Sequence, residues 1–436
     1  MKCFNRRTML AGTAAVAAGS LAACTGGGSN DSAVDPSKVK DGEIKGEISF
    51  QTWSLKNDKF TPYFNDLIAA FEKEHPGVKV KWIDQPGDGY EDKLLQQANA
   101  DQIPDVVNVP PEYALSLARV GKLLDLKAAD ADAMKEYIEG GIKAYEFHGL
   151  DGSYGYPWYL GVAFNYWNKD SLTKAGLDSK NPPANEESFQ QAALEAAEKG
   201  VALLSQVPQV GFFSARGIDV FDENSRKFIF ANKKAEKLLQ TYVDLYKKGA
   251  MPAELLTSVD NGQPANEAFF KGTLGNIQST PSFAGTLETD APNIVDKVEV
   301  TAPWEKPQLL VQGISVSGTS KNPATALEFA KFVTNNQNQV NFVKIAKGFM
   351  PGTVEGNKNP QTFVDDSDKP LMKQALAVSA KTVQRAELLY PVEMSNEMKT
   401  AVLQEMALAM RGEIAPMKAL EAAQEKCNKM MAELDS

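Results

Sequence analysis

Trp53, Trp158 and Trp304 are the side chains of this chain best placed to do chemistry, and that chemistry is stacking rather than bond making. Each stands among turn-forming residues beside an apolar run. Trp53 closes the run Gly46–Trp53, and Trp304 follows Val298–Val300 and a Thr-Ala-Pro turn. Trp158 belongs to Tyr154-Gly155-Tyr156-Pro157-Trp158-Tyr159, which holds four aromatics in six residues, with Gly and Pro setting them off regular structure. Glu112 and Tyr113 follow a further run, Asp105–Val109. Aromatic faces take apolar C–H surfaces, while nearby planar polar side chains take hydroxyl rims. A groove that combines the two suits a neutral oligosaccharide, with Tyr156 and Tyr159 as further stacking candidates. Trp82 and Trp167 read instead as core. Stacking at Trp158 predicts that Trp158→Ala weakens ligand binding.

Residues suited to bond-making chemistry are scarce or lack a motif. The chain has 436 residues with only 2 His and 3 Cys. His75 precedes Pro76 at a helix end, where a surface cap is expected, and neither His belongs to a metal or relay motif. There is no Walker-type loop, GxGxxG, GxSxG, HExxH or paired CxxC. Gly211–Gly217 carries glycines and a Ser at the wrong spacing for a nucleophile elbow. Asp365-Asp366-Ser367-Asp368 lacks the Gly and distal Glu of a calcium loop and reads as a solvated loop. No metal, cofactor or catalytic residue is therefore expected. A carboxylate pair able to cleave a glycoside stays open, because spatial separation is not readable from 56 scattered acids. The formal charge is −10, without the basic stripe that a phosphate backbone requires, so no nucleic-acid partner is expected.

Certain elements must position these residues. Gly46–Trp53 and Val78–Ile83 alternate apolar and polar side chains as strands, and Asp105–Val109 reads as a short buried strand. Thr61-Pro62 starts a helix with Phe64, Leu67, Ile68 and Phe71 on one face. Tyr90–Ala98 and Pro110–Val120 supply two more helices. This strand–helix alternation implies a parallel, doubly wound α/β sheet, whose ligands sit beyond the carboxyl ends of the strands. Later segments alternate less cleanly. Glu186–Lys199 and Ala235–Lys248 read as helices closed by Gly200 and Gly249, and Leu274–Ile277, Val298–Val300 and Leu309–Val316 read as strands. Helices Pro323–Thr334, Asn396–Arg411 and Met417–Leu434 follow.

The N-terminus is an address. Lys2, Arg6 and Arg7 precede a short apolar run that is too short to span a bilayer and ends in Leu21-Ala22-Ala23-Cys24. That ending resembles a bacterial lipobox, which implies acylation of Cys24 and a membrane anchor; Arg6-Arg7 also resembles a twin-Arg export signal. Residues 1–23 are then a signal peptide, and 24–45, rich in Gly and Ser at the start, a flexible tether. Cys427 is left as the only unmodified thiol.

Longer stretches are similar to family 1 extracellular solute-binding proteins, the carbohydrate-binding subunits of bacterial ABC importers, with the architecture of maltose-binding protein. They are Phe64–Val80, Tyr90–Leu94, Ile103–Val107, Gly121–Leu126, Gly155–Trp158, Ala268–Gly272, Ser320–Ala326 and Arg411–Glu413, in that order and spacing. The resemblance implies two α/β lobes, each a doubly wound sheet flanked by helices, joined by hinge strands around a ligand cleft. Lobe one is expected to hold 46–156 plus 306–363, and lobe two 157–305 plus 364–436. Crossings are expected near Tyr156–Asn165, near Trp304–Gly313 and within 350–390. By position, Asn108, Phe213, Arg216, Asp219 and Gln312 join Trp53, Glu112, Tyr156, Trp158, Tyr159 and Trp304 as cleft residues. The implied partners are an oligosaccharide, the permease subunits and, through Cys24, the membrane, with the protein itself a monomer. A receptor for a glycerophosphodiester or peptide is the main alternative, and a surface glycoside-cleaving enzyme a lesser one.

Overall fold

The structure is a computed structural model that describes residues 34–257, 263–365 and 367–434. The expected signal peptide and the lipidation site Cys24 lie outside the described residues. The tether expected over 24–45 is corrected at its C-terminal end, because residues 34–45 pack on the folded body. Val34 N–H donates to Gly318 O (3.0 Å), Val39 is buried, Lys40 Nζ reaches Asp130 at 2.8 Å, and Lys45 N–H donates to Thr325 Oγ1 at 2.8 Å.

Eleven strands follow along the described chain: β1 Gly46–Trp53, β2 Val78–Gln85, β3 Val106–Val109, β4 Tyr156–Val162, β5 Phe164–Asn168, β6 Phe221–Asp222, β7 Lys227–Phe228, β8 Asn276–Ser279, β9 Val298–Thr301, β10 Leu309–Val316 and β11 Met350–Pro351. A six-stranded sheet runs β11-β4-β10-β3-β1-β2, and a three-stranded one runs β8-β5-β9. These two sheets, with helices packed on them, make the two-lobed α/β architecture. Helix Thr61–Glu74 carries Pro in its first turn and buries Phe64, Leu67 and Phe71, the face that the 3.6-residue period requires.

Among the named strands of the described residues, parallel pairing is confined to β1 with β2 and β3. β10 runs antiparallel to both β3 and β4, and every pairing of the smaller sheet is antiparallel. The reason is topological. β4 leaves the first sheet for the second and β10 comes back from it, so neither follows the helical crossover that makes neighbours parallel. β4 and β5 are separated by Ala163 alone, which makes this crossing nearly continuous extended chain. The expected boundary at residue 156 cuts into β4, whose six later residues to Val162 remain in the larger sheet. The second crossing occupies residues 302–308, between β9 and β10, and the third lies between β11 and helix Pro370–Thr382.

The helices in the second half fall where the sequence places them. Gly200 and Gly249, at φ +70° and +88°, stand just beyond helices Glu186–Ala197 and Lys233–Lys247, a conformation glycine adopts without a Cβ clash. Helices Asn396–Arg411 and Pro416–Leu434 pack on each other and on Lys233–Lys247, with Cys427 fully buried at their interface. Burial pushes that thiol up to about 12, so it is an inert core group at neutral pH. Trp167 is likewise core, and Trp82 is half-buried with its indole N–H on Thr52 Oγ1 at 2.9 Å. His75 caps its helix through a backbone bond to Phe71 O, and Asp365 turns back on Ser367, as a solvated loop would. No helix among the described residues is long and apolar enough to cross a membrane.

Candidate ligand-binding cleft

A cavity of about 610 Å³ opens at the carboxyl ends of β1 and β3. That volume lies in the range of small-molecule sites. β1 delivers Trp53 to its edge, and β3 leads through Pro110-Pro111 into the helix Pro111–Arg119, which carries Glu112. The end of β3 is held from behind by Tyr145, whose hydroxyl donates to Val109 O at 2.7 Å. Tyr145 fits because Gly155 and Gly313 lack side chains: a Cβ on either would come within 2.4 Å of it.

Tyr159 and Gln312 complete the wall from β4 and β10. Tyr159 is half-buried, with its ring 4.8 Å from Phe349 and 5.2 Å from Phe342. The far wall comes from Gln209 and from the connector Leu388–Val392, whose Tyr390 projects between helix Val210–Ala215 and Lys399. Lys399 Nζ sits 5.4 Å from the Tyr390 ring centroid, within cation–π range. Burial pushes the Tyr390 hydroxyl up to about 12, so it stays protonated. Glu112 and Lys399 are the only charged side chains among the described residues lining this cleft. On its rim, burial and then the charge of Glu112 hold the Glu91 carboxyl above the usual range.

Of the residues expected in a cleft, Trp53, Glu112, Tyr159 and Gln312 are brought together here. Asn108 stands directly behind them: fully buried, it donates to Gln312 Oε1 (3.3 Å) and Gly313 O (3.1 Å), and so positions Gln312. Tyr156, Trp158 and Phe213 are corrected to core, each with no exposed surface. Tyr156 stacks on Tyr137 at 5.4 Å, and Trp158 packs on Phe342 at 4.4 Å. The physical reason is that β4 is covered on both faces and bulges at Trp158, which the register with β10 skips, so the run of aromatics is divided between cleft and interior.

Arg216, Asp219 and Trp304 line other cavities. Asp219 faces a second space of about 510 Å³ on the other side of Leu388–Val392. Arg216 is bound to Glu186 at 2.8 and 2.9 Å, lies 3.5 Å over the Phe212 ring and reaches Phe212 O at 3.2 Å. Trp304 donates to the same Glu186 at 3.2 Å and packs on Phe189 at 5.1 Å. Burial alone would raise the Glu186 carboxyl, but Arg216 with hydrogen bonds from Gln190 and Tyr242 brings it below the usual range. Arg216 and Trp304 therefore brace the second lobe away from the main cleft.

Sequence reasoning missed Gln209, Phe349 and Tyr390. One weak signal existed for Tyr390: like Tyr156 it precedes a proline, which favours extended backbone. The ring also depends on Gly211, where a Cβ would lie 2.4 Å from Tyr390 Cε2. Gly211→Ala is expected to displace Tyr390, cost about 1–3 kcal/mol of stability and weaken ligand binding. Thermal melting and titration of the variant check this, and wild-type values in both would show that the ring does not rest on Gly211.

A cleft between two sheet-centred lobes crossed three times by the chain defines a two-lobed binding protein. The chain belongs to the bacterial extracellular solute-binding protein family, whose model matches residues 66–369. It is 21% identical over 356 residues to the arabinooligosaccharide-binding protein of Halalkalibacterium halodurans, covering 77% of this chain and 78% of that one. It is 25% identical over 346 residues to the diacetylchitobiose binding protein of Streptomyces coelicolor, covering 76% and 78%. In fold it is similar to the cyclic alpha-maltosyl-1,6-maltose binding protein of Arthrobacter globiformis, with a TM-score of 0.71 at 18% identity over 88% of this chain and 98% of that one.

Proposed function

We propose that this chain is the substrate-binding subunit of a bacterial ABC importer and captures a neutral oligosaccharide in the cleft between its lobes. The observation that carries this reading is the lining of the 610 Å³ cleft: Trp53, Tyr159, Phe349 and Tyr390 supply rings, Gln209, Gln308 and Gln312 supply carboxamides, and the only charges among the described lining residues are Glu112 and Lys399. Rings and carboxamides match the alternating faces and rims of a sugar chain. A phosphodiester calls for a cluster of cations or several free backbone N–H groups, which one lysine does not provide. Glycoside cleavage by the usual route calls for two carboxylates flanking one bond, and Glu112 is the one carboxylate among the described residues lining this cleft, which supports binding without catalysis. The names of the two curated relatives point to the same ligand class.

On this reading the lobes divide at residue 163, within 302–308 and between β11 and residue 370, and they close on the sugar as a hinge. The closed form is what the permease subunits recognise. Cys24 carries the lipid after removal of residues 1–23, and a monomer works at the outer membrane face of the cell. Calorimetric titration of the chain with arabino-, galacto-, malto- and chito-oligosaccharides, a glycerophosphodiester and a peptide tests the reading. Saturable one-to-one binding of one glycan class is expected. Binding of the phosphodiester or the peptide alone would refute it.

A further inference from the structure

Behind the main cleft lies a smaller cavity of about 170 Å³, which shares Gln209, Gln308 and Tyr390 with it. At the roughly 30 Å³ a water occupies in the liquid, this is room for several waters, the scale of a single sugar ring. Its chemistry differs from that of the main cleft. Gln206 and Gln278 add two more carboxamides, and Glu305, Arg216 and Lys306 add charge, Lys306 being paired with Glu387 at 2.8 Å.

Glu305 is the unusual member. Its side chain is only 7% exposed. Oε1 accepts from Gln278 Nε2 at 2.7 Å, and Arg216 Nη2 stands 3.9 Å away. Oε2 is buried and has no hydrogen-bond partner. Arg216 cannot make up the deficit, because its closer bonds go to Glu186 at 2.8 and 2.9 Å. A buried carboxylate oxygen without a donor is costly, and such a site is satisfied when a ligand brings the donor. The backbone is fixed for that purpose: Arg385 donates to Glu305 O at 2.8 Å and also to Pro303 O.

We propose that Glu305 selects the terminal sugar of the bound oligosaccharide, accepting a hydrogen bond from one of its hydroxyls in this side chamber. Gln278 and Arg216 hold the carboxylate in place, and Tyr390 forms the threshold between chamber and main cleft. The proposal rests on the oligosaccharide reading above and deepens it.

The test uses the full chain, the tightest-binding glycan of the calorimetric panel, and that glycan's terminal monodeoxy forms. Glu305→Gln is expected to weaken the parent glycan roughly ten- to hundredfold, the effect of losing a hydrogen bond to a charged acceptor. One monodeoxy form is expected to lose the same factor against wild type and to lose nothing further against Glu305→Gln. Melting temperature reports whether the variant is folded, and the deoxy series on wild type decides the matter if it is not. Unchanged affinity in a folded Glu305→Gln variant, or equal losses for every deoxy form in both proteins, overturns the assignment of Glu305 alone. Failure of every glycan to bind wild type overturns the oligosaccharide reading and the assignment with it.

Discussion

Replacing Trp158 by Ala is expected to destabilise the folded chain by about 3–5 kcal/mol, the usual cost of deleting a large buried aromatic. Its indole has no exposed surface and lies 4.4 Å from the Phe342 ring, 5.0 Å from Tyr159 and 6.0 Å from Phe64. No nearby side chain can collapse into the space, because these rings are themselves packed against one another. From the usual per-residue entropy of unfolding, the melting temperature falls by about 5 °C if both lobes melt together. Trp158→Phe keeps most of the packing and lowers it less. The outcome separates two roles that the sequence alone leaves merged. A stable variant with collapsed ligand affinity would place the ring against the ligand. A destabilised variant whose folded fraction still binds places it in the core, which is what the packing requires.

Tyr390→Ala is expected to act in the opposite way, with a modest change in stability and a loss of about 2 kcal/mol in ligand affinity, roughly thirtyfold. Tyr390 lines the main cleft, the polar side chamber and the larger space behind Leu388–Val392. Removing the ring joins these spaces, admits water beside the ligand and leaves Lys399 without its aromatic partner at 5.4 Å. Tyr390→Phe keeps the ring, so it retains most of the affinity. Parallel titrations of both variants check the prediction. If Tyr390→Ala binds as wild type does, the far wall of the cleft has been misassigned.

The two residues differ in how far sequence patterns reach. Trp53 and Glu112 were legible because one ends β1 and the other stands just beyond β3, and in an open α/β sheet the carboxyl ends of strands face the ligand. Tyr159 and Trp158 were visible as a pair, but not that Tyr159 lines the cleft while Trp158 is buried. In a regular strand successive side chains point to opposite faces, but β4 bulges at Trp158, and the rings of Trp158 and Tyr159 both pack on Phe342, at 4.4 and 5.2 Å. Trp158 therefore meets Phe342 from a helix some 180 positions away, a contact that no local pattern encodes.

Arg216 shows the same limit for charge. A lone arginine after Gly211-Phe212-Phe213 looked free to meet a ligand, yet Glu186, Tyr242 and the face of Phe212 already occupy it. Tyr390 and Gln209 lie on a connector and at the cap of a short helix, where neither period 2 nor period 3.6 marks a face. They become cleft residues only because Gly211 lets the helix and the connector approach. Strands β1, β2, β3 and β10 and the helices among the first three follow from alternating patterns, whereas the crossings are what the family resemblance implies. The far side of the cleft depends on long-range packing.

The measurement that tests the central claim most directly is a crystal structure of the chain with the glycan that binds it tightest. The account predicts the sugar between Trp53 and Glu112 on one side and Gln209 and Tyr390 on the other, with its terminal residue toward Glu305 and the lobes closed around it. A glycan bound on the far side of Leu388–Val392 beside Asp219, or on an outer surface with the 610 Å³ cleft filled by water, would contradict it.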